Sequence, residues 1–253
     1  MHNIRIRGGR SLCFLLLLCL LWELLIRLTE TPKWLLPAPS DVLKEATIDF
    51  SVFYEHLLST INLSIIGLVL GCSVGLLISI ILHRLPKVNE VLYPLLILSQ
   101  NIPTIVLAPL LIIWFGFGLL PKLIIISLVC FFPIVVASMD GFRQTAPELK
   151  HYMRMAGATT KQIFWKLEFP HALPAIFSGL KIAATYSVMG AVISEWLGAK
   201  KGIGVYMTLA QSSFRIDRVF VAIGFIMLLS VCLFGIIRLL ERLVVKGRNE
   251  GMK

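Results

Sequence analysis

The sequence predicts an all-α, polytopic membrane protein with six transmembrane helices and both termini in the cytoplasm. Of its 253 residues, 57% are hydrophobic and 15% are charged. Several apolar runs reach the length of about 20 residues that a helix needs to cross a bilayer. Lysines and arginines are concentrated on one side of these runs, which sets the predicted orientation.

The charge distribution and the cysteines exclude several classes of function. The net charge is +10, but the basic residues are spread over short loops and the two ends of the chain. They form no patch interleaved with aromatic residues, so we expect no nucleic-acid partner. The five cysteines lie in apolar runs without metal-ligand spacing, and we interpret them as small hydrophobic residues. Neither a metal nor a cofactor is expected.

Residues 1–28 predict an N-terminal transmembrane helix. Three arginines, the last of them Arg10, precede the apolar run 11–26, a pattern that is also typical of a secretory signal. Because no small-x-small cleavage site follows, we favour a retained helix. Residues 29–56 are polar and mixed in charge, and they predict an external loop in which residues 36–41 mark a turn before a helix start.

Residues 57–242 predict a core of five further spans. The second span of the chain carries Gly67, Gly71 and Gly75 at four-residue intervals, a smooth stripe that lets another helix approach closely. The third span holds three prolines, whose freed carbonyls are tolerated at membrane depth only when they are buried in protein or line a cavity. A short external amphipathic helix, about 205–214, precedes the last span. The five predicted spans are approximately 57–82, 91–114, 119–138, 175–197 and 219–240.

The charge asymmetry predicts that both termini and the loop 139–174 are cytoplasmic. With the N-terminus inside, the inner segments hold fifteen lysines and arginines and the outer segments hold eight. Lys181, near the inner end of the fifth span, is left uncounted. The inner set includes the basic tail, residues 243–253, which we expect to be cytoplasmic.

Two short amphipathic helices are predicted within this cytoplasmic loop. Thr145 and Thr159 each begin a helix-capping pattern, and Gly157 between them can join two helices at a sharp angle. Pro170 and Pro174 are expected to end the unit. The apolar faces of the two helices consist of Leu149, Met153 and Ala156, and of Ile163, Phe164 and Leu167.

The same loop resembles the cytoplasmic coupling loop of ABC-importer permeases. Gly157, followed after nine residues by Leu-Glu-Phe-Pro at 167–170, resembles the Gly-x9-Ile-x-Leu-Pro half of that family's motif. Where the family usually has Glu-Ala-Ala, this chain has His-Tyr-Met at 151–153. An ordinary cytoplasmic connection between membrane helices is the alternative interpretation.

Three other segments resemble particular branches of the family. Leu-Pro-Ala-Pro-Ser-Asp-Val at 36–42 and the segment 101–118 resemble permeases of the nitrate/sulfonate/taurine type. The segment 184–207 is similar to permeases of importers for pyrimidine precursors of thiamine. Such a precursor is therefore the favoured solute, and a sulfonate, taurine or nitrate is the alternative.

The resemblance implies the type I ABC-importer permease fold in a bacterial inner membrane. Two permease subunits, most simply a homodimer, would form the pathway, and an external solute-binding protein would deliver the solute. Two cytoplasmic ATPase subunits would bind ATP and receive the coupling loop, so the permease itself would be non-catalytic. The residues expected to couple to the ATPase are Leu149, Met153, Ala156, Gly157, Ala158, Ile163, Phe164, Leu167 and Pro170.

Polar residues within the spans are candidates for the translocation pathway. We expect Asn101, Tyr186 and Ser187 to face a central cavity, and hydrogen bonds to neighbouring helices are the alternative. Glu195, at the outer end of the fifth span, is either a paired interface carboxylate or a ligand in the pathway.

Four basic residues are candidates for an external docking site. Lys200, Lys201, Arg215 and Arg218 flank the predicted external helix. They either meet the binding protein, where they would affect the association rate and its salt dependence, or contact lipid head groups.

Two other classes of function remain open, a membrane-integral enzyme or scaffold and a self-contained secondary transporter or channel. The sequence contains no Gly-Lys dipeptide and so has no P-loop to hold ATP. No histidine and no charged residue lies near the middle of a predicted span, which argues against intramembrane catalysis and against a proton relay. The energy for transport would have to come from a partner.

Overall fold

The computed structural model describes residues 2–48 and 50–249, with side-chain surroundings for 13–48 and 50–245. Helices and the turns between them account for all of the described backbone, which confirms the all-α prediction. The helices are α1 His2–Leu28, α2 Pro39–Ile48, α3 Phe50–Arg84, α4 Pro86–Ser99, α5 Thr104–Phe115, α6 Leu119–Arg143, α7 Pro147–Met155, α8 Thr160–Ile163, a π-helical segment Phe164–Glu168, α9 Phe169–Glu195, α10 Ile203–Ser212 and α11 Ile216–Asn249.

Four helical stretches among the described residues are long and apolar enough to cross a membrane. They are α3, α6, α11 and the continuous stretch Thr160–Glu195, which contains α8, the π-helical segment and α9. The α4–α5 pair makes a fifth if its two bent halves are counted as one span. α1 covers the predicted first span, and its side chains from Phe14 to Leu21 are exposed.

Helices α3, α6 and α9 form the centre of the molecule. Leu63, Ile126, Ala184 and Val188 are buried in one cluster there. The predicted glycine stripe of α3 lies directly against α6, because a Cβ added at Gly71 would sit 2.5 Å from the carbonyl oxygen of Ser127. The small residues therefore permit a backbone approach that no larger side chain would allow.

The third predicted span, 91–114, is not one continuous helix. The chain breaks between Ser99 and Thr104, and the axes of α4 and α5 meet at 98°. Pro103 causes the break, because it has no amide hydrogen and disfavours helical angles at the residue before it. Asn101 stabilises the broken end, since its Nδ2 donates to the carbonyls of Ile97 and Leu98 at 3.2 and 3.3 Å.

The segments that the sequence predicts to be external contain more helix than predicted. The loop 29–56 includes all of α2 and the first seven residues of α3. The predicted external helix 205–214 is observed as α10, two residues earlier. α10 begins after Gly202, whose φ of 137° suits a residue without a side chain.

Gly71→Val should destabilise the packing of α3 on α6. The new Cβ would lie 2.5 Å from the Ser127 carbonyl oxygen and 2.8 Å from the Cβ of Cys130, both closer than van der Waals contact allows. Overpacking of this kind costs about 1–3 kcal/mol, so the unfolding temperature of the detergent-solubilised protein should fall. Gly224→Val is the matched control, because a Cβ added there meets nothing within 4 Å. Equal shifts in the two variants would contradict the close-contact explanation.

Candidate functional site

The turn between α7 and α8 has the geometry that the sequence predicts. Gly157 has a φ of 80°, a left-handed conformation that favours glycine. The Ala158 amide donates to the carbonyl of Met153 at 2.9 Å and closes the end of α7. The predicted capping box at the start of α8 is also present, because the backbone amides of Thr159 and Gln162 each donate to the other residue's side chain. Both features are confirmed.

Thr145 does not cap α7, contrary to the prediction. The N-cap residue is Ala146, and the Thr145 hydroxyl oxygen is buried without a hydrogen-bond partner among the described residues. If Thr145 were the N-cap, the helix would begin at residue 146. It begins at Pro147 instead, because the fixed φ of proline suits the first helical position. α7 therefore begins without a side-chain cap.

Pro170 and Pro174 do not end the coupling unit, which corrects a second prediction. The helix continues from Thr160 to Glu195. A π-helical turn precedes Pro170, and the Phe169 amide donates to the Phe164 carbonyl five residues earlier. This wider turn accommodates the proline ring, which clashes with the carbonyl four residues back in a regular α-helix. The second half of the coupling segment is thus the first part of the membrane helix.

The apolar side chains of the second half pack inward. Ile163 and Phe164 are buried, and the Phe164 ring lies 5.4 Å from the ring of Phe142 on α6. On the other side the Arg84 guanidinium lies 4.4 Å above the Phe164 ring. Leu167 and Pro170 are half-buried. These residues anchor the segment to other helices of the same chain.

The surface of α7 is different, because its large apolar side chains are exposed. Leu149, Tyr152 and Met155 are 49%, 72% and 76% exposed. Met153 is half-buried and Ala156 is exposed. Of these side chains, the sequence analysis named Leu149, Met153 and Ala156 but missed Tyr152 and Met155. The three-residue spacing from Leu149 through Tyr152 to Met155 is the signal that could have found them.

A carboxylate holds α7 against two membrane helices. Glu168, in the π-helical segment, accepts from Lys150 Nζ on α7 at 2.6 Å and contacts His83 Nε2 on α3 at 2.9 Å. All three side chains are less than one quarter exposed. We call this group, Glu168 with Lys150 and His83, the Glu168 clamp. Sequence reasoning missed it, although Glu168 is a lone acid between Lys161 and the prolines of a basic stretch.

The basic residues proposed for external docking differ in their surroundings. Arg215 and Arg218 both pair with the buried carboxylate of Glu45 on α2, at 2.7 and 2.9 Å. Arg215 also binds Asp217, whose hydrogen bond raises the pKa of the guanidinium above its ordinary value. These two arginines therefore connect α2 to the start of α11 and face Glu45 rather than presenting free charge.

The two lysines of the same group are exposed. Lys201 Nζ lies 2.6 Å from the carboxylate of Glu55, and both side chains are more than half exposed. Such a solvated pair has little energetic value. Lys200 has no ion-pair partner among the side chains that the structure describes. Both lysines are exposed, as are Lys33 and Lys44 near α2.

Glu195 is enclosed at the outer end of α9. It is 1% exposed, and it accepts from the Thr60 hydroxyl at 2.7 Å and from the Gly204 amide at 2.9 Å. Thr60 in turn accepts from the Ile203 amide at 2.8 Å. The Glu195 carboxylate and the Thr60 hydroxyl thus each accept one of the unpaired amides at the start of α10 and connect that helix to α3.

A cavity of about 900 Å³ lies where α4 and α5 meet α6 and α9. Asn101 and Tyr186 both line it, as expected for pathway residues, whereas Ser187 and Glu195 do not. The Ser187 hydroxyl is buried and donates to the Ala184 carbonyl at 2.9 Å. Four polar lining residues were not named from the sequence, and they are Ser99, Gln100, Thr104 and Asp140.

A comparison with known protein families identifies the family of this chain. Residues 65–246 match the family described as binding-protein-dependent transport system inner membrane component. The chain belongs to this family. It is a membrane subunit of an ABC importer, and it resides in the inner membrane as a multi-pass protein. Such permeases are non-catalytic, and the family implies an ATPase and a solute-binding protein as partners.

Individual relatives match the permease over almost its whole length. The formylaminopyrimidine transport permease protein of Halalkalibacterium halodurans is 36% identical over 94% of this chain and 95% of the relative. The riboflavin transport system permease protein of Chloroflexus aurantiacus is 30% identical over 92% of this chain and 87% of the relative. The taurine transport system permease protein of Escherichia coli is 25% identical over 95% and 90%.

Glu168→Gln should loosen α7 of this permease. The amide carries no charge, so Lys150 loses its ion pair, and hydrogen bonds to charged groups are worth about 1.5–3 kcal/mol. Amide hydrogen exchange in α7, measured by mass spectrometry on the detergent-solubilised protein, should become faster. Glu148→Gln is the control, because Glu148 is exposed in the first turn of the same helix. Unchanged exchange in the Glu168 variant would show that the clamp does not hold α7.

Proposed function

We propose that two copies of this chain form the translocation pathway of an ABC importer for a small nitrogen-containing solute, with a pyrimidine precursor of thiamine favoured. The name of the relative that is 36% identical supports this solute class. The cavity supports it too, because its lining combines aromatic side chains with neutral hydrogen-bonding groups. The homodimer is the simplest arrangement in which one permease chain provides both halves of a pathway.

The exposed apolar surface of α7 is the observation that carries the coupling mechanism. An exposed face of Leu149, Tyr152 and Met155 on a nine-residue helix requires a partner, since isolated helices of this length are unstable in water. We assign the groove of an ATPase subunit as that partner. Of the residues expected to couple, Met153, Ala156, Gly157 and Ala158 shape this first half, and Ile163, Phe164, Leu167 and Pro170 anchor the second.

Two rigid connections would transmit movement of α7 to the pathway. The Glu168 clamp joins α7 to α3 and to the π-helical segment. That segment continues without interruption into α9, which carries Ile182 and Tyr186 on the cavity wall. A shift of α7 caused by ATP binding in the partner would therefore reach the cavity without passing through a flexible loop.

The proposed pathway contains Asn101 and Tyr186, and the proposed external dock contains Lys200 and Lys201. Ser187 and Glu195 leave the pathway proposal because both are buried in bonds to their own or neighbouring helices. Arg215 and Arg218 leave the docking proposal because Glu45 already binds them. Exposed lysines of this kind would mainly increase the association rate with the binding protein at low salt.

The proposal also includes a topology of six transmembrane spans with both termini in the cytoplasm. α1, α3, the α4–α5 pair, α6, the stretch Thr160–Glu195 and α11 would each cross the bilayer once. The fifteen-to-eight excess of lysines and arginines supports a cytoplasmic position for α7 and for both termini.

Cysteines introduced singly should report this orientation. A membrane-impermeant thiol reagent added outside intact cells should label Lys44→Cys and Lys201→Cys and should not label Lys161→Cys. All three positions are exposed in the structure, so access decides the result. Labelling should reverse in inside-out vesicles, and labelling of Lys161→Cys from outside would overturn the orientation.

Gly157→Val should abolish transport while leaving membrane insertion intact. A β-branched residue with a φ near 80° costs about 1–3 kcal/mol, which is large compared with a short docking contact. Gly157→Asn is the matched control, because asparagine adopts left-handed angles more readily, and no atom lies within 4 Å of a Cβ added at this position. We expect solute-stimulated ATP hydrolysis and uptake in proteoliposomes to be lost in the valine variant and largely kept in the asparagine variant. Normal uptake in both would show that the turn is only a connector.

A further inference from the structure

Two polar groups in the lining of the cavity beside the α4–α5 break present acceptor oxygens. The lining also holds Gln100, Thr104 and Tyr186, whose side chains can donate as well as accept. Ser99 donates its hydroxyl hydrogen to the Leu96 carbonyl at 2.9 Å, so its oxygen faces other partners only as an acceptor. Asn101 uses Nδ2 on two backbone carbonyls, which leaves its Oδ1 as an acceptor. The donors of Ser99 and Asn101 are therefore occupied by backbone carbonyls of α4, and the two side chains offer only acceptor oxygens to a solute.

Asp140 adds a negative charge to the same lining. It lies on the last turns of α6, it is exposed, and it is the only ionisable carboxylate among the described residues that line the cavity. Within the part of the chain that the structure describes, its carboxylate has neither an ion-pair nor a hydrogen-bond partner. Cations on neighbouring turns are engaged elsewhere, since Arg143 lies over the Tyr93 ring at 4.8 Å and Lys181 pairs with Glu241 at 3.0 Å. No lysine, arginine or histidine belongs to the described lining.

Aromatic side chains complete the lining. Tyr186 and Phe132 provide ring surfaces on α9 and α6, and Phe132 is held edge-on by Phe131 at a centroid distance of 5.2 Å. Aromatic rings bind planar solutes by stacking and attract cations to their faces. The carboxylate of Asp140 would attract a positive charge in the cavity and repel a negative one.

We propose that Asp140, together with the acceptor oxygens of Ser99 and Asn101, makes this cavity select a neutral or cationic solute that is rich in N–H donors and reject anions. The inference rests on the proposed permease function, and it assigns charge selection to the membrane subunit itself rather than to a binding protein alone. An aminated heteroaromatic ring fits this chemistry. Nitrate and simple sulfonates, which offer acceptors and negative charge only, do not.

Charged thiol reagents can measure this selection without knowledge of the natural solute. We would introduce Thr104→Cys on the cavity wall and purify the permease with its ATPase in detergent, which opens both sides to reagent. The modification rates of a trimethylammonium-ethyl and a sulfonatoethyl methanethiosulfonate are then compared with their rates on free cysteine, and the reaction of the five native cysteines is subtracted using the parent protein.

The cationic reagent should react faster than the anionic reagent by about threefold relative to free cysteine, as expected for one solvent-exposed charge near the reacting thiol. Asp140→Asn should remove this preference, Asp140→Glu should keep it, and Asp140→Lys should reverse it. Benzylamine should protect Thr104→Cys from modification, whereas phenylmethanesulfonate should not. Lys200→Cys on the outer surface is the control, and its rates should not respond to changes at Asp140.

Several results would overturn the inference. Two results would show that Asp140 does not determine the charge preference. One is equal rates for the two reagents at Thr104→Cys with Asp140 unchanged, and the other is a preference that survives Asp140→Asn. A cysteine at position 104 that reacts with neither reagent would show that the cavity is closed to solutes. Each of these results is compatible with normal uptake by the wild-type importer, whereas failure of the proposed permease function would appear as absent uptake, so the two failures are distinguishable.

Discussion

Hydrogen bonding of the backbone within the bilayer is the constraint on which the rest of this structure depends. Lipid tails offer no partner to a free amide or carbonyl, so every interruption of a helix must be compensated by protein atoms nearby. At the α4–α5 break, Asn101 donates to two carbonyls in the last turn of α4. Before Pro170, the π-helical turn lets the Phe169 amide reach a carbonyl five residues back. Between α9 and α10, Glu195 and Thr60 accept the amides that start the next helix.

These compensated interruptions are also the places where function is concentrated. The α4–α5 break opens the cavity, because two half-helices that meet at 98° cannot fill the space that one straight helix would occupy. The π-helical turn makes α8 continuous with α9, so the segment that follows Gly157 and the cavity wall belong to one element. Close packing through small residues holds this element against α3 and α6.

Charged residues at the two ends of the molecule mostly serve its architecture. Glu45 pairs with Arg215, just before α11, and with Arg218 within it, and so joins this region to α2. Glu168 pairs with Lys150 and His83 and so joins α7 to the end of α3. In both cases a partly buried carboxylate joins segments that are far apart in the chain, and a buried charge of this kind is stable only when it is paired. The exposed side chains that could bind a partner therefore differ between the two ends of the molecule. The end that contains α7 presents apolar side chains, and the opposite end presents exposed lysines such as Lys200 and Lys201.

Features that depend on local chemistry are predictable from the residues alone. Hydropathy and periodicity predict the apolar helices, the left-handed turn at Gly157 follows from glycine's freedom, and the capping box at Thr159 follows from its spacing to a glutamine. Features that depend on atoms distant in sequence require the packed arrangement of the helices. A proline can end, bend or sit within a helix, and neighbouring helices selected among these outcomes at Pro103 and Pro170. The partners of Glu45, Glu168 and Glu195, and the unpaired position of Asp140 in the cavity, were decided in the same way, because a side chain's partner is set by how helices pack and not by its own identity.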